Sequence, residues 1–104
     1  MTKVEVIDNI MQVGRQTLPP NSSLLLFGSQ ARGDAHAGSD WDLLILLDKP
    51  KISLSDYDVS YPFRELGWEL GEIINPQVYS KKEWSKYSFT PFYKNVEHDK
   101  KVLL

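Results

Sequence analysis

Two acids stand two positions apart, Asp40 and Asp42, at the head of the apolar run Leu43 to Leu47. In a strand, residues i and i+2 point to the same face, so the two carboxylates stand side by side. Adjacent like charges repel and raise each other's proton affinity. Folding gains nothing from that arrangement unless the acids lie on a solvated strand end or pair with lysines. A divalent cation removes the cost, because magnesium takes oxygen ligands from one or two carboxylates plus phosphates. Upstream, the apolar run Ser23 to Phe27 ends in Gly28-Ser29. Glycine lets the backbone approach a ligand closely. If a helix follows, its free N–H groups favour a phosphate, and the Ser29 hydroxyl adds a donor. Taken alone, this pair reads as a tight turn. Together, an anion cradle and a cation clamp on neighbouring strands suit two-metal phosphoryl chemistry, in which metals stabilise attacking and leaving oxygens.

The elements that must position these residues are legible around them. Val4, Ile7, Met11 and Leu18, with Ile10 beside them, predict an amphipathic helix from about Thr2 to Thr17. Thr2 and Glu5 form a capping box at its start, and Pro19-Pro20 stop it. Ser23 to Phe27 predicts a buried strand. Asp40 to Leu47 predicts a second, covered on both faces. The loop between them is too short for an ordinary crossover helix. The strands are therefore antiparallel or, with one helical turn in the loop, splayed at one end. Ser55 to Leu70 has a helical pattern, capped by Ser53 or Ser55, in which Pro62 either starts the real helix or kinks it. Glu72 to Tyr79 predicts a third strand, with Pro76 marking an edge or a bulge. Ser80 with Glu83, and Thr90-Pro91, mark two further helix starts, the second carrying Phe92 and Val96 inward. The fold class is α/β (α+β): a small mixed sheet flanked by helices.

The chain has 104 residues, which suits one domain, 1–104. A net charge of −2 gives no electrostatic footprint for general nucleic-acid binding. The absence of cysteine excludes disulfides, thiolate catalysis and cysteine-ligated zinc. The N-terminus reads as no signal peptide, and no apolar run is long enough for a bilayer, so a cytoplasmic location is expected. A P-loop is excluded because no lysine followed by Ser or Thr trails the glycine loop. His36 and His98 form no ligand motif with the paired acids, which disfavours a metal-dependent hydrolase. His36 reads as exposed and uninvolved, Trp41 and Trp68 as core. Phe89, Phe92, Tyr93, Val96, Val102 and Leu103 either finish the core or form an interface, with core the plainer reading.

Gly28, Ser29, Ala31, Arg32, Gly33, Ser39, Asp40, Asp42 and Leu43 together resemble the signature of the DNA polymerase beta-like nucleotidyltransferase superfamily. The likeness is greatest to its minimal nucleotidyltransferase (MNT) branch, whose stand-alone domains are often encoded beside a helical HEPN protein. The resemblance implies the palm fold of that superfamily. It further implies that Gly28 and Ser29 bind the β and γ phosphates of a nucleoside triphosphate, ATP by preference. Asp40 and Asp42 would hold Mg2+ or Mn2+ against those phosphates. A hydroxyl acceptor would then take a nucleoside monophosphate, AMP by preference, and release pyrophosphate. Arg32 has two readings: a phosphate contact, or a salt bridge that holds the loop to Asp34 or another acid. Ser39 is a nucleotide-binding candidate that alternatively only fixes the loop. Active relatives carry a third carboxylate on the third strand. Here Gln77, or Asn75 with a shift of two, occupies that place. Glu72 is the nearest acid and a further metal-ligand candidate, provided the strand register allows it. Two functions follow. One is a working transferase. The other is a catalytically impaired nucleotide-binding or antitoxin-like module that docks onto a HEPN-type partner. Larger relatives carry an additional domain that selects the acceptor, a role open here to a partner or to a second copy of the chain.

Overall fold

Thr2 starts the first helix as the sequence predicts. Its hydroxyl accepts the Glu5 N–H at 3.2 Å while the Glu5 carboxylate accepts the Thr2 N–H at 3.0 Å. The computed structural model describes residues 1–104, and this helix, α1, spans Lys3–Thr17. It buries Val6, Ile10 and Gly14, with Ile7, Val13 and Leu18 packed beside them. Val4, predicted to face inward, is instead exposed. The true stripe runs i, i+4, i+8 from Val6, and the small residue Gly14 closes it, where an apolar-residue count does not look.

The elements after α1 follow the predicted order. β1 (Ser23–Phe27) and β2 (Trp41–Leu47) pair antiparallel, with Phe27 opposite Asp42 and Leu25 opposite Leu44. The loop between them contains one helical turn, α2 (Ser29–Arg32). The predicted Ser55–Leu70 helix divides into a 3-10 segment, Leu54–Ser60, and α3, Tyr61–Leu70. Pro62 lies in the first turn of α3, where its missing N–H costs nothing. Gly71, at φ 70°, ends the helix in the left-handed conformation that favours glycine. β3 (Ile74–Ser80) then runs parallel to β2, with Asn75 opposite Asp42 and Gln77 opposite Leu44. Ser80 caps α4 (Lys81–Ser85) and Thr90 caps α5 (Pro91–Asp99), each accepting the N–H three residues on. The Glu83 carboxylate does not complete a box. It accepts the Ile52 N–H at 2.8 Å and the Ser80 hydroxyl instead.

A fourth strand, β4 (Lys101–Val102), is not predicted by the sequence pattern. It pairs antiparallel with β1, completing the order β3-β2-β1-β4. Two residues carry no periodicity to read. Its anchor is the Leu24 carbonyl, which accepts the Leu103 and Leu104 N–H groups at 2.8 and 3.1 Å.

The sheet separates two layers of apolar packing. On one face Leu24, Leu26, Leu43, Ile45 and Val78 meet Val6 and Ile10 of α1 and Phe63 and Leu66 of α3. On the other, Leu25 and Leu44 meet Trp84 of α4 and Val96 of α5, flanked by Phe27, Tyr79 and Tyr93. Trp41 is buried as expected. Trp68 is 67% exposed, against expectation, because it lies on the outer side of α3, edge-on to Tyr61. The C-terminal apolar set divides: Val96 is fully buried, whereas Phe89 and Val102 are exposed and Phe92 is partly so.

β3 is an edge strand, as Pro76 suggests. The Trp41 N–H bonds the Ile73 carbonyl at 2.8 Å. By alternation, the backbone groups of residues 73, 75 and 77 point to β2, and those of 74, 76 and 78 point outward. Pro76 therefore places its missing donor on the side away from β2.

Candidate functional site

The end of β1 fixes the first part of the site. Gly28 has φ 75° and ψ −160°, a region essentially closed to residues with a Cβ. A Cβ placed there would run into Asp42 Oδ2. The glycine thus lets the chain reverse sharply after β1 and brings that reversal into contact with the acid on β2. In α2, the Ala31 and Arg32 N–H groups both bond the Gly28 carbonyl at 3.0 Å. The N–H groups of Ser29 and Gln30 come before the first bond of the turn and have no partner within it. Gly33, at φ 87°, closes the turn.

The acids come from the head of β2. Asp42 is half-buried on the face it shares with Phe27, Leu44 and Asn75. Burial pushes its carboxyl above the usual range; the Asn75 amide offsets part of that, the Asp40 charge adds to the rise and Arg32 opposes it. Asp40 is exposed and accepts the Asn75 side-chain amide at 2.8 Å. Asn75 therefore stands where its register with Asp42 puts it, in hydrogen-bond contact with the acid pair. Of the two positions considered for a third carboxylate, Asn75 is the one at the site. Gln77 lies two residues further along, exposed, opposite Leu44. Glu72 lies in the turn before β3, on a depression it shares with Arg64, Trp68 and Ile73, and is not the register partner of Asp42. No group of three or more His, Asp or Glu side chains suited to a metal forms anywhere in the chain.

The loop from Gly33 to Ser39 is held by its own bonds. The Ser39 hydroxyl accepts the His36 N–H at 2.9 Å, the Ser39 N–H bonds the His36 carbonyl at 3.0 Å, and the buried Gln30 amide reaches the Ser39 carbonyl at 3.4 Å. His36 is exposed, and its ring nitrogen Nδ1 lies 2.9 Å from the Ala37 carbonyl. Arg32 has the salt-bridge geometry of its second reading, and with two acids. Its Nε is 3.1 Å from Asp34, an exposed pair, and its Nη1 is 2.8 Å from Asp99 at the end of α5. Asp99 had no signal in the sequence. It is 67 residues away, and only the packing of α5 against the sheet brings it there. His98 and Arg32 hold the Asp99 carboxyl below the usual range.

These donors suit one kind of ion. Two carboxylates, one partly desolvated and repelled by the other, favour a hard divalent cation that completes its shell with phosphate and water. Nothing soft, neither thiolate nor a histidine pair, is at hand.

The sequence profile of the nucleotidyltransferase domain family matches residues 8–103. No curated protein matches the chain. Among solved structures, a toxin-antitoxin crystallised with AMP-PNP is similar at a TM-score of 0.67 and 20% identity, covering 94% of this chain and 72% of that one. A mutant of the toxin-antitoxin MntA-HpeT is similar at a TM-score of 0.65 and 17% identity, covering 94% and 71%. At those identities the likeness is one of fold. The mixed sheet with its flanking helices is theirs as well, and the profile runs from α1 to the last strand: the chain belongs to the nucleotidyltransferase domain family.

Proposed function

We propose that the chain transfers a nucleoside monophosphate, AMP from ATP, to a hydroxyl acceptor with Mg2+ or Mn2+. The observation that carries this reading is the contact between Gly28 and the Asp42 carboxylate, which sets an anion-binding turn against a pair of acids. Ser29 and the first N–H groups of α2 hold the β and γ phosphates. Asp40 and Asp42 hold the metal, whose chemistry is to neutralise phosphate charge and polarise the phosphorus–oxygen bond to be broken. The protein's own part is to orient the α phosphate and to place fixed charge where negative charge develops. Arg32 and Ser39 act within this site by fixing the α2 turn and the loop that leads into β2. The solved toxin-antitoxin with AMP-PNP supports a nucleoside triphosphate as substrate. The MntA-HpeT mutant, altered at two aspartates two positions apart, supports the pair Asp40 and Asp42.

A second reading has its own observation. Asn75, a neutral amide, stands at the place where a third carboxylate would bind the second metal and activate the acceptor hydroxyl. An amide is a poor magnesium ligand and no base near neutral pH. The chain would then retain a nucleotide pocket and act by docking onto a protein partner of the HEPN type. The toxin-antitoxin neighbours support a partner protein in either case.

Incubation with Mg2+ and α-labelled ATP, with and without a co-encoded partner, separates the two. Label transfer that disappears in Asp42→Ala establishes the transferase. Partner binding that survives Asp40→Ala and Asp42→Ala, with no label moved, establishes the docking module.

A further inference from the structure

The α2 turn has only four residues and sits between two glycines of positive φ, Gly28 at 75° and Gly33 at 87°. No side chain caps its start. Both ends therefore resemble hinges, yet the turn must keep its N–H groups at a fixed place beside Asp42. Buried Gln30 and Ala31 hold its inner side. On its outer side the one long-range restraint is the Arg32–Asp99 pair at 2.8 Å.

Asp99 is in an unusual place. It occupies the last turn of α5, where the helix dipole disfavours an acid. Its carboxylate is only 8% exposed, whereas its neighbour His98 is 87% exposed. A shielded acid at the negative end of a helix is stabilised by a charged partner. Asp34, the other acid on Arg32, is 61% exposed and reaches only Nε, so it adds little.

We infer that Asp99 is a positioning residue for the nucleotide site: by holding Arg32, it clamps the α2 turn to α5 and keeps the phosphate-facing N–H groups in register with Asp42. Arg32 then serves the phosphates through the turn rather than by touching them. This rests on the nucleotidyltransferase reading of the site. It makes the docking of the C-terminal helix a condition for tight phosphate binding.

The test measures the affinity of Mg–AMP-PNP and of inorganic tripolyphosphate with Mg2+, alongside the melting temperature. Asp99→Asn is expected to weaken both probes about tenfold, as loss of a supporting partner does. Arg32→Ala should weaken them similarly, and the double variant no more than either alone. The reversed pair, Arg32→Asp with Asp99→Arg, should recover most of the affinity. Asp34→Asn, which breaks only the exposed bond, should leave it unchanged. If Asp99→Asn binds equally or more tightly while Arg32→Ala weakens, Arg32 touches phosphate directly and the inference fails. It fails also if Asp99→Asn lowers the melting temperature with affinity intact. If the native chain binds neither probe, the nucleotide reading itself falls, a result seen before any substitution is made.

Discussion

Asp42 is the residue in which folding and function oppose each other. Its carboxyl is raised above the usual range, first by burial and then by Asp40. A group whose folded value is raised stabilises the fold fully below its unfolded value, and that contribution is lost as pH rises through the folded value. Near neutral pH, then, the ionised Asp42 is a burden on the unliganded chain. Asp42→Asn should raise the melting temperature at pH 7 relative to the native chain. The difference should shrink on acidification through the carboxylate range. The same variant should lose the thermal shift given by Mg–AMP-PNP. A variant less stable at neutral pH, or one that keeps that shift, would contradict this account. Asn75 allows the converse experiment. Asn75→Asp adds a third acid beside two that already repel, so the unliganded protein should melt lower at pH 7. Mg2+ or Mn2+ should then stabilise it more than it stabilises the native chain. Calorimetric titration with metal alone measures that gain directly. The paired acids and the glycine turn were legible because their types and spacing are chemical. The identity of the third position was open between Asn75 and Gln77 until strand register decided it, since register depends on where β3 starts and not on its composition.

Among the elements, the short α2 turn is entered through Gly28, whose backbone conformation suits glycine alone. Gly28→Ala would force a Cβ into a backbone region that costs about 1–3 kcal/mol. It would also push aside the Asp42 carboxylate. The variant is expected to be measurably less stable by denaturant titration and to lose nucleotide binding, whereas a simple hinge glycine would lose only the former. The 3-10 segment offers a cleaner electrostatic test. Asp56 accepts the Lys49 ammonium at 2.8 Å and the Ser53 N–H at 2.8 Å. Together, Lys49 first, they lower its carboxyl to about 2. A lowered value gives stability that is present above the ordinary carboxylate range and fades as pH falls towards the folded value. The melting-temperature difference between native and Asp56→Asn should therefore be constant above about pH 5 and disappear as pH falls through about 2. Element starts were readable from Thr2, Ser80 and Thr90 because a capping residue works within its own turn. Where α1 faces was misjudged by Val4, because a helix buries what its neighbours leave room for. Gly14 accepts Leu104 against it, a contact across nearly the whole chain.

At the scale of the molecule, the sheet and its two covered faces follow from the apolar runs of β1 and β2, whereas β4 and the Asp99 clamp arise only when the C-terminus folds back on β1. Long-range returns of this kind have no local signature. The same return protects one border of the sheet, which ends there in a strand of two residues. The opposite border is β3, seven residues long, and its outward amides are those of Ile74, Val78 and Ser80, with Pro76 between the first two. A neighbouring molecule laid along that border would find one rung missing. Replacing Pro76 with threonine supplies it, and the side of β3 away from β2 then carries an unbroken row of donors. Pro76→Thr is thus expected to keep the native circular-dichroism spectrum when dilute. On concentration or gentle heating it should form ribbons that bind thioflavin and scatter light, while the native chain stays clear. One imino ring would then be what keeps copies of this protein from polymerising side by side.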